Sequence, residues 1–308
     1  MRRFLIDTDT ASDDAVAILM ALRDPDVQVD ALTIVSGNVA TPIGAKNAGY
    51  TAELCGKDVP VYVGCNRPLL REASYAYFFH GSDGMGEMNY PAPKKPPENE
   101  HAVQALARLV RERPGEYTLI TLGPLTNLAM AVRLAPDITG KFRQVYMLGG
   151  ASCTVGNITP AAEYNIWLDP EAAKIVFHSG LPLTMIGVEN CRGAAELSDA
   201  EMARIRGLQT PYASFAFDCN RTAFKMAREW LHHTGFSLAD PTAMAVALDP
   251  AICTKMGHHF VEIETASEVT RGMTVVDQNG VLKQQPNVEV CWTIDPAKWK
   301  ELLYARLS

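Results

Sequence analysis

The sequence Arg3-Phe-Leu-Ile-Asp-Thr-Asp-Thr-Ala-Ser-Asp-Asp-Ala-Val-Ala-Ile-Leu-Met-Ala-Leu-Arg23 decides the fold, because it joins a short apolar run to a helical pattern through an acidic loop. The first part, Arg3–Asp7, is typical of a buried strand, and Asp13–Arg23 has the apolar spacing of a helix. A strand that leads through a short loop into a helix is the repeating unit of α/β proteins. We therefore expect further copies of this unit along the chain.

Five more strand-like runs follow, and each is short and mainly apolar: Val29–Ser36, Val59–Val63, Tyr117–Leu122, Gln144–Leu148 and Pro182–Val188. Helical patterns lie between them: Pro42–Cys55, Glu100–Arg113, Leu125–Leu134 and Pro170–Ser179. Apolar strands that alternate with helical crossovers indicate an α/β fold with a mostly parallel, doubly wound (Rossmann-like) sheet flanked by helices.

The pattern changes beyond Ser198, where helical spacing extends to about Ala247. Three strand-like runs and a final helix follow, at His259–Thr265, Met273–Asp277, Asn287–Ile294 and Pro296–Leu307. The Pro- and Lys-rich stretch Tyr90–Glu98 is the one strong loop signal, and no low-complexity linker or internal repeat interrupts the chain. We therefore expect residues 1–308 to form a single domain.

The composition excludes several classes of protein. The chain has 28 Lys and Arg against 35 Asp and Glu, a net charge of −7, so a general attraction to nucleic acid or to an anionic membrane is not expected. Seven scattered cysteines without a C-x-x-C pair indicate reduced thiols, neither a disulfide framework nor a zinc site. The N-terminus lacks a secretory apolar region, and the longest apolar run, Ala15–Leu22, is too short to span a membrane. These features predict a soluble cytoplasmic protein.

Four aspartates lie where the first predicted strand leads into the first predicted helix. Asp7 ends the strand, Asp9 is in the loop, and Asp13 and Asp14 begin the helix. Acids in the first turn of a helix, with Ser12 as N-cap, complement the helix dipole and need no further explanation. Asp7 and Asp9 at the strand end are different, because like charges a few Å apart are costly without a counter-charge. Ligands bind at the carboxyl ends of the strands in such sheets. The cluster therefore predicts a site for a hard cation, Ca²⁺ or Mg²⁺.

Two other acidic motifs fit less well. An EF-hand loop that starts at Asp7 would need Gly and Glu where the chain has Ser12 and Ile18. A phosphate-transferring Asp-x-Asp-x-Thr/Val motif would need Thr or Val where the chain has Ala11. A Mg²⁺-dependent phosphohydrolase that uses Asp7 and Asp9 remains an alternative. No nucleotide-binding, serine-hydrolase or zinc-protease motif occurs.

The acidic run Asp7-Thr-Asp-Thr-Ala-Ser-Asp-Asp-Ala-Val-Ala-Ile18 closely resembles the N-terminal signature of the inosine-uridine-preferring nucleoside hydrolases. Further blocks that are similar to this family occur in the family's order: Ser36-Gly-Asn38, His80-Gly-x-x-Gly-x-Gly86, Leu122-Gly-Pro-Leu-Thr-Asn127, Gly156-Asn-Ile-Thr-Pro160, Ala162-Glu-Tyr-Asn-x-x-x-Asp-Pro-Glu-Ala-Ala173 and, in part, Asp240-Pro-x-Ala-x-Ala245. The resemblance extends from residue 3 to about residue 250, and it implies the nucleoside hydrolase fold.

The resemblance also implies an activity and a metal. It implies hydrolysis of the N-glycosidic bond of a small-molecule ribonucleoside, giving ribose and a free base, with a tightly bound Ca²⁺. The metal ligands that it implies are the carboxylates of Asp9, Asp14 and Asp240 and the backbone carbonyl of Leu122. Asp9 would also be the general base that takes a proton from water, and Asp7 would steady the ligands.

Six substrate contacts follow from the same resemblance. Asp13 and Asn165 would hold the ribose hydroxyls, Asn157 and Glu163 the 5′-hydroxyl side, and Asn38 the sugar and water. His80 would touch the substrate or lie at the surface. Asn127 and Asp169 are interpreted as structural, with Asp169 as a helix N-cap, and from sequence alone Asp240 could equally be a helix cap.

One position departs from the family pattern. Many members carry His immediately before the last metal-binding Asp, where it is thought to protonate the departing base, and this chain has Ala239 there. The candidates to replace that histidine, by proton transfer or by stacking on the base, are His80, Tyr212, Arg221, Trp230, His232 and His233. Alternatively, the protein prefers another leaving group or is a non-catalytic ribose or nucleoside binder. The family usually forms dimers or tetramers, so a homo-oligomer is expected.

Overall fold

The nine strands found among the described residues form one sheet. The computed structural model describes residues 1–229, 232 and 234–308. The strands are β1 (Arg2–Thr8), β2 (Val27–Ile34), β3 (Val61–Val63), β4 (Tyr117–Thr121), β5 (Gln144–Leu148), β6 (Leu183–Ile186), β7 (Cys253–Ile263), β8 (Thr274–Asp277) and β9 (Val288–Ile294). Their order in the sheet is β3-β2-β1-β4-β5-β6-β9-β7-β8. The neighbours from β3 to β9 in that order pair parallel, whereas β7 pairs antiparallel with both β9 and β8.

The strand order reverses at β1. From this central strand the chain first builds outward through β2 and β3, and then from β4 to β6 on the other side. Asp7 of β1 lies between Thr33 of β2 and Thr121 of β4. In a doubly wound sheet the crevice for ligands opens at this reversal, outside the carboxyl ends of the strands. The acidic loop that follows β1 therefore lies at the position where this fold binds ligands.

Helices cover both faces of the sheet. They are α1 (Ser12–Leu22), α2 (Thr41–Leu54), α3 (Tyr77–His80), α4 (Ala102–Glu112), α5 (Thr126–Leu134), α6 (Tyr164–Leu168), α7 (Pro170–Phe177), α8 (Asp199–Gly207), α9 (Pro211–Asp218), α10 (Arg221–Glu229), α11 (Ala239–Leu248) and α12 (Pro296–Leu307). Helices α1, α11 and α12 pack together on one face, and α4, α5 and α7 on the other. Helix α1 is the most enclosed, since every residue from Ala15 to Ala21 is fully buried.

The α/β class and the mostly parallel sheet are confirmed, but several boundaries differ from the sequence predictions. Among the described residues, the helical region after Ser198 consists of four helices, α8 to α11. Strand β7 begins at Cys253, six residues before the predicted start at His259. Ser12 is not the N-cap of α1, because Ala11 occupies that position and Ser12 is the first helical residue. Asp169 does cap a helix, since its carboxylate accepts a hydrogen bond from the Ala172 N–H.

The helices of the described ranges are all too short, or not apolar enough, to cross a lipid bilayer.

Candidate active site

Asp9 lies in a narrow slot between the loops that follow β2 and β4. Its side chain is fully buried, and its Oδ2 accepts a hydrogen bond from the Asn38 N–H. Glycines form the walls: a Cβ atom on Gly37 would lie 2.0 Å from Asp9 Oδ2, and one on Gly123 would lie 2.7 Å from Oδ1. Asp9 Oδ1 has no hydrogen-bond partner. The slot therefore fixes one carboxylate oxygen and leaves the other free for a ligand.

Three further carboxylates converge beside Asp9. Asp13 and Asp14 lie in the first turn of α1, and Asp240 lies in the first turn of α11, which packs against α1. One carboxylate oxygen from each lies within 4.8 Å of the other two. Asp240 does not cap its helix, and Oδ1 of Asp240 and Oδ1 of Asp13 are buried without a hydrogen-bond partner. Compared with the ligand set expected from the sequence, this trio contains Asp13 in place of Asp9.

Asp14 is held rigidly by its own loop. Its Oδ1 accepts a hydrogen bond of 2.6 Å from the Thr8 hydroxyl, and its Oδ2 accepts one of 3.0 Å from the Ala11 N–H. The Asn38 side-chain amide also lies 3.4 Å from Asp14 Oδ2. Asn38 therefore contacts two of the aspartates, Asp9 through its backbone and Asp14 through its side chain.

Burial makes this concentration of acids electrostatically costly. It raises the pKa of Asp13 to about 6, and it raises the pKa values of Asp9 and Asp240 well above the usual range, with the charge of Asp14 as the next cause for both. Among the residues that the structure describes, the only basic side chain within 4.0 Å of these four carboxylates is His80. A set of oxygen donors with unpaired atoms and little neutralising charge fits Ca²⁺ or Mg²⁺.

Asp7 stands behind the cluster at the end of β1. Its Oδ1 accepts hydrogen bonds from the Thr33 hydroxyl (2.6 Å) and the Asn127 amide (2.8 Å), and burial raises its pKa to about 7. The same Asn127 amide donates to the Ile34 carbonyl, and its oxygen accepts from the Cys65 N–H. These contacts join the ends of three strands, which is consistent with the structural interpretation of Asn127.

Glu163 and Asn165 occupy the start of the short helix α6. Glu163 is its N-cap, with hydrogen bonds to its carboxylate from the N–H groups of Asn165 (2.9 Å) and Gly150 (3.0 Å), and burial raises its pKa to about 7. The Asn165 amide donates to the Leu122 carbonyl over 2.7 Å. Glu163 also contributes to the raised pKa of Asp240, which places it near the aspartates. The two residues therefore border the cluster on the β4–β5 side.

Asn157 lies farther out than the other predicted site residues. Its side chain is exposed, and its amide oxygen accepts a hydrogen bond of 2.9 Å from the Tyr164 N–H. Asn157 therefore contacts the first residue of α6, and it lies on the solvent side of Glu163 and Asn165.

His80 closes the cluster on the side of α3. It is 5% exposed, and its Nδ1 lies 2.7 Å from the Ser12 hydroxyl and 3.9 Å from Asp13 Oδ1. Burial lowers the pKa of His80 to about 4, although the charge of Asp14 acts in the opposite direction. The imidazole is therefore neutral at pH 7 and lies within the cluster, not at the surface.

The position before Asp240 carries no titratable group. Ala239 packs against a small apolar cluster of Ala151, Val188 and Cys191 at the ends of β5 and β6. A longer side chain at position 239 would therefore extend towards these residues, from the same helix turn that carries Asp240.

Two of the six candidates to replace a histidine at position 239 make contacts elsewhere. The Tyr212 ring packs against the Arg23 guanidinium, and Arg221 donates to the Gly86 and Glu87 carbonyls. His232 is exposed. Trp230 and His233 lie outside the described residues. His80 is thus the one described candidate that contacts an aspartate of the cluster.

Sequence reasoning did not assign two contacts at this site. Ser12, interpreted as a helix cap, instead holds the His80 ring. The Tyr164 hydroxyl lies 3.3 Å from the Gly37 carbonyl oxygen and 3.1 Å from that of Ser74, so it joins the Asp9 slot to the loop before α3. Tyr164 belongs to the Ala162–Ala173 block, but nothing in the spacing of that block indicates these distant partners.

The fold and the site define an α/β protein with a buried cluster of carboxylates at its strand reversal. Residues 4–301 match the family model described as inosine-uridine preferring nucleoside hydrolase. The chain therefore belongs to this family of ribonucleoside hydrolases, which act on N-glycosyl compounds, and the resemblance drawn from the sequence is confirmed.

Individual relatives match over nearly the whole length. The chain is 37% identical to the pyrimidine-specific ribonucleoside hydrolase RihA of Shewanella woodyi, covering 100% of this chain and 98% of the relative. It is 34% identical to probable uridine nucleosidase 2 of Arabidopsis thaliana, covering 99% and 97%. Among solved structures, a plant nucleoside hydrolase superposes with a TM-score of 0.94 at 33% identity, covering 99% and 98%. The purine-preferring ribonucleoside hydrolase of Gardnerella vaginalis gives 0.92 at 29%, with the same coverage.

Proposed function

We propose that this chain is a Ca²⁺-dependent enzyme that hydrolyses the N-glycosidic bond of ribonucleosides to ribose and a free base. The observation that carries the proposal is the buried group of Asp9, Asp13, Asp14 and Asp240, three of which have a carboxylate oxygen without a hydrogen-bond partner. Buried polar atoms without partners are uncommon in folded proteins, and these three lie together in one oxygen-only donor set.

The Ca²⁺ would be held by the carboxylates of Asp9, Asp14 and Asp240 and by the Leu122 carbonyl. When bound, it would neutralise part of the aspartate charge and make water at the site more acidic. Asp13 remains next to the same pocket, where its free oxygen can accept hydrogen bonds from ribose hydroxyls. The Asn165 amide N–H groups already donate to the Leu122 and Leu148 carbonyls, so its amide oxygen is the atom that can accept from ribose hydroxyls.

Asp9 is the proposed general base. Its Oδ1 is free and its position is fixed by the glycine walls, so one carboxylate oxygen is held ready to take a proton from water. As the base departs, positive charge develops on the ribosyl ring. The surrounding carboxylates favour that charge, because they are oriented before the reaction begins.

The remaining residues would orient the nucleoside. Asn38 would lie against the sugar, and Glu163 and Asn157 would receive the 5′-hydroxyl end. Because curated relatives are named for pyrimidine ribonucleosides and uridine, we expect a pyrimidine ribonucleoside to be the best substrate.

Leaving-group activation differs from the family pattern because Ala239 cannot transfer a proton. We propose that His80 contributes instead by donating a hydrogen bond to the departing base from its neutral imidazole, which Ser12 holds, and not by transferring an imidazolium proton. General acid catalysis typically contributes about 10²–10⁴-fold to a rate. A site with a weak acid would therefore show slower turnover of substrates whose base is a poor leaving group.

The proposal is tested with a panel of purine and pyrimidine ribonucleosides, assayed for reducing sugar with added Ca²⁺ and with a chelator. We expect base release that is lost with chelator and recovered with Ca²⁺. The Asp9→Asn variant should lose at least about 10²-fold in kcat. The matched control is Asp58→Asn, because Asp58 is exposed and forms an ion pair with Lys95 at the surface.

Other outcomes would contradict the proposal in distinguishable ways. Release of inorganic phosphate from a phosphate ester, with no sugar release, would favour the phosphohydrolase that uses Asp7 and Asp9. Nucleoside binding without turnover would favour a non-catalytic relative. Full activity in Asp9→Asn would show that another group is the base.

We also propose that the protein is a cytoplasmic homo-oligomer, a dimer or a tetramer, of one domain per chain. The support is the family's usual assembly and the composition of the chain. Sedimentation equilibrium at enzyme concentrations used in the assay would contradict this proposal by giving a monomer mass.

A further inference from the structure

Two cysteine thiols lie side by side on the antiparallel part of the sheet, away from the aspartate residues. Cys253 is the first residue of β7, and Cys291 is in the adjacent strand β9. The regular pairing of these strands is interrupted by register shifts between Cys253 and Met256. Their Sγ atoms are 2.9 Å apart. No function is required of either thiol in the proposed hydrolysis.

The two thiols differ in exposure and in acidity. Cys291 is fully buried, whereas Cys253 is partly exposed to solvent. The Cys291 S–H donates to Cys253 Sγ, and this hydrogen bond lowers the pKa of the Cys253 thiol and raises that of Cys291. A thiolate is the nucleophile in thiol–disulfide exchange, and a protected neighbouring thiol can then resolve the mixed disulfide. Cys253 has the properties of the attacking thiol and Cys291 those of the resolving one.

We propose that Cys253 and Cys291 form a reversible intramolecular disulfide when the protein meets an oxidised low-molecular-weight disulfide. The Cys253 thiolate attacks one sulfur of that disulfide, which forms a mixed disulfide and releases one small thiolate. Cys291, as it loses its proton, then attacks Cys253 Sγ and releases the second small thiol. The protein loses two electrons and two protons, and the small disulfide is reduced to two thiols.

The geometry favours closure over a lasting mixed disulfide. A disulfide bond is about 2.05 Å long, so the two sulfurs need to approach by less than about 1 Å. Rotation about the Cα–Cβ bonds supplies movement of that size. A bulky adduct on Cys253 would also remain in contact with Cys291, which keeps the resolving thiol at hand.

The test uses the full-length protein equilibrated in buffers with increasing ratios of oxidised to reduced glutathione. Samples are quenched with acid, free thiols are alkylated, and the protein is mapped by mass spectrometry without reduction. We expect a linked peptide pair that contains Cys253 and Cys291, with two fewer hydrogens than the reduced pair, and its complete loss after dithiothreitol.

Variants separate the two thiols. In Cys291→Ser, we expect a stable glutathione adduct on Cys253 and no linked pair. In Cys153→Ser, which removes an exposed cysteine elsewhere, the linked pair should form as in the wild type. Wild-type protein in which Cys253 carries glutathione without an internal link, or in which both thiols stay alkylatable at every ratio, would overturn the proposal. Because these readouts are made on the wild type, the result stands even where a variant does not fold.

Discussion

Three carboxylate oxygens of the aspartate cluster are the strongest indication of a ligand site in this molecule. Asp9 Oδ1, Asp13 Oδ1 and Asp240 Oδ1 are each buried without a hydrogen-bond partner. An unsatisfied buried polar group costs about 1–3 kcal/mol, and a charged one costs more. Three such atoms in one pocket are best explained by ligands, a cation and sugar hydroxyls, that satisfy them in the working enzyme.

A histidine at position 239 should restore an acid at the departing base. We expect Ala239→His to raise kcat for purine ribonucleosides by about 10²-fold, the lower end of a typical general-acid contribution. Nucleosides with a chemically activated leaving group should gain little, because their base departs without protonation. The measurement is kcat for each class of substrate.

The control for this variant is Ala239→Asn, which adds a polar side chain that does not transfer a proton. Equal gains in the Asn and His variants would mean that filling the space beside Ala151 and Cys191 matters, and not proton transfer. No gain with either class of substrate would contradict the view that leaving-group activation limits turnover.

The protonation state of His80 can be measured directly. Burial lowers its pKa to about 4, so the ring should stay neutral from pH 8 down to pH 5 in the metal-free protein. Its imidazole signals, assigned by their loss in His80→Gln, should not titrate in that range by NMR. A midpoint near 6.5, the value of an exposed histidine, would show that the ring is solvated.

At the scale of elements, the strand-to-helix turns fix the geometry of the candidate site. The loop after β2 supplies Gly37 and the loop after β4 supplies Gly123, and together they enclose the Asp9 carboxylate. Neither loop contains a second carboxylate that could act as a base in place of Asp9. Their contribution is to allow backbone and carboxylate to approach more closely than a side chain would permit.

Adding one methyl group to this wall should therefore displace the carboxylate. In Gly37→Ala the new Cβ would lie 2.0 Å from Asp9 Oδ2. We expect a loss of about 10²-fold in kcat, because small misplacements of a reacting group are that costly. Gly140→Ala, where nothing lies within 4 Å of the new Cβ, is the matched control. Wild-type kcat in Gly37→Ala would show that Asp9 tolerates displacement.

The helices and strands could be predicted to the extent that each one is long enough to show a periodic pattern of apolar residues. The short, mainly apolar run Gln144–Leu148 was predicted with the same bounds that the strand has in the structure. The five-residue helix Tyr164–Leu168 has too few turns to show a period, so it was missed although it carries Asn165. The strand β7 was predicted to begin late, because its first residues, Cys253–Gly257, alternate poorly and are interrupted by a register shift.

The site was predictable where its residues are adjacent in sequence or belong to a family block. Asp9, Asp13 and Asp14 are separated by few positions, so their proximity follows from one loop and one helix turn. The approach of Asp240 depends on the packing of α11 against α1, which no local pattern encodes. The Tyr164 contacts with Gly37 and Ser74 likewise depend on loops that are far apart in the chain.

At the scale of the whole molecule, the acidic excess is concentrated in one place. Asp9, Asp13, Asp14 and Asp240 would together contribute four of the charges behind the net value of −7. Burial raises the pKa values of Asp9, Asp13 and Asp240, so these carboxyl groups keep their protons to a higher pH when no cation is bound. Cation binding requires the charged form, so it should release protons.

Stability should therefore depend on Ca²⁺ and pH together. The folded pKa values of Asp13 (about 6) and of Asp7 and Glu163 (about 7) are above those of an unfolded chain, so the metal-free fold binds extra protons. The stabilisation of the metal-free fold by these protons is fully present below about pH 4, and it is lost as the pH rises through 6 to 7. The contribution of His80 to stability has the opposite sign, since it is lost as the pH falls from about 6.5 to about 4. His80 is a single group, whereas three carboxyl groups act in the other direction.

We expect Ca²⁺ to raise the unfolding temperature more at pH 8 than at pH 5, because protons compete with the cation at low pH. At a concentration one hundred times its Kd, the ion should add about 2.7 kcal/mol to the free energy of unfolding. Scanning calorimetry with Ca²⁺ and with chelator, at both pH values, measures the difference. In Asp240→Asn the Ca²⁺ gain should be largely lost at both. A gain in the wild type that is equal at the two pH values, or larger at pH 5, would contradict the assignment of the cluster as the cation site.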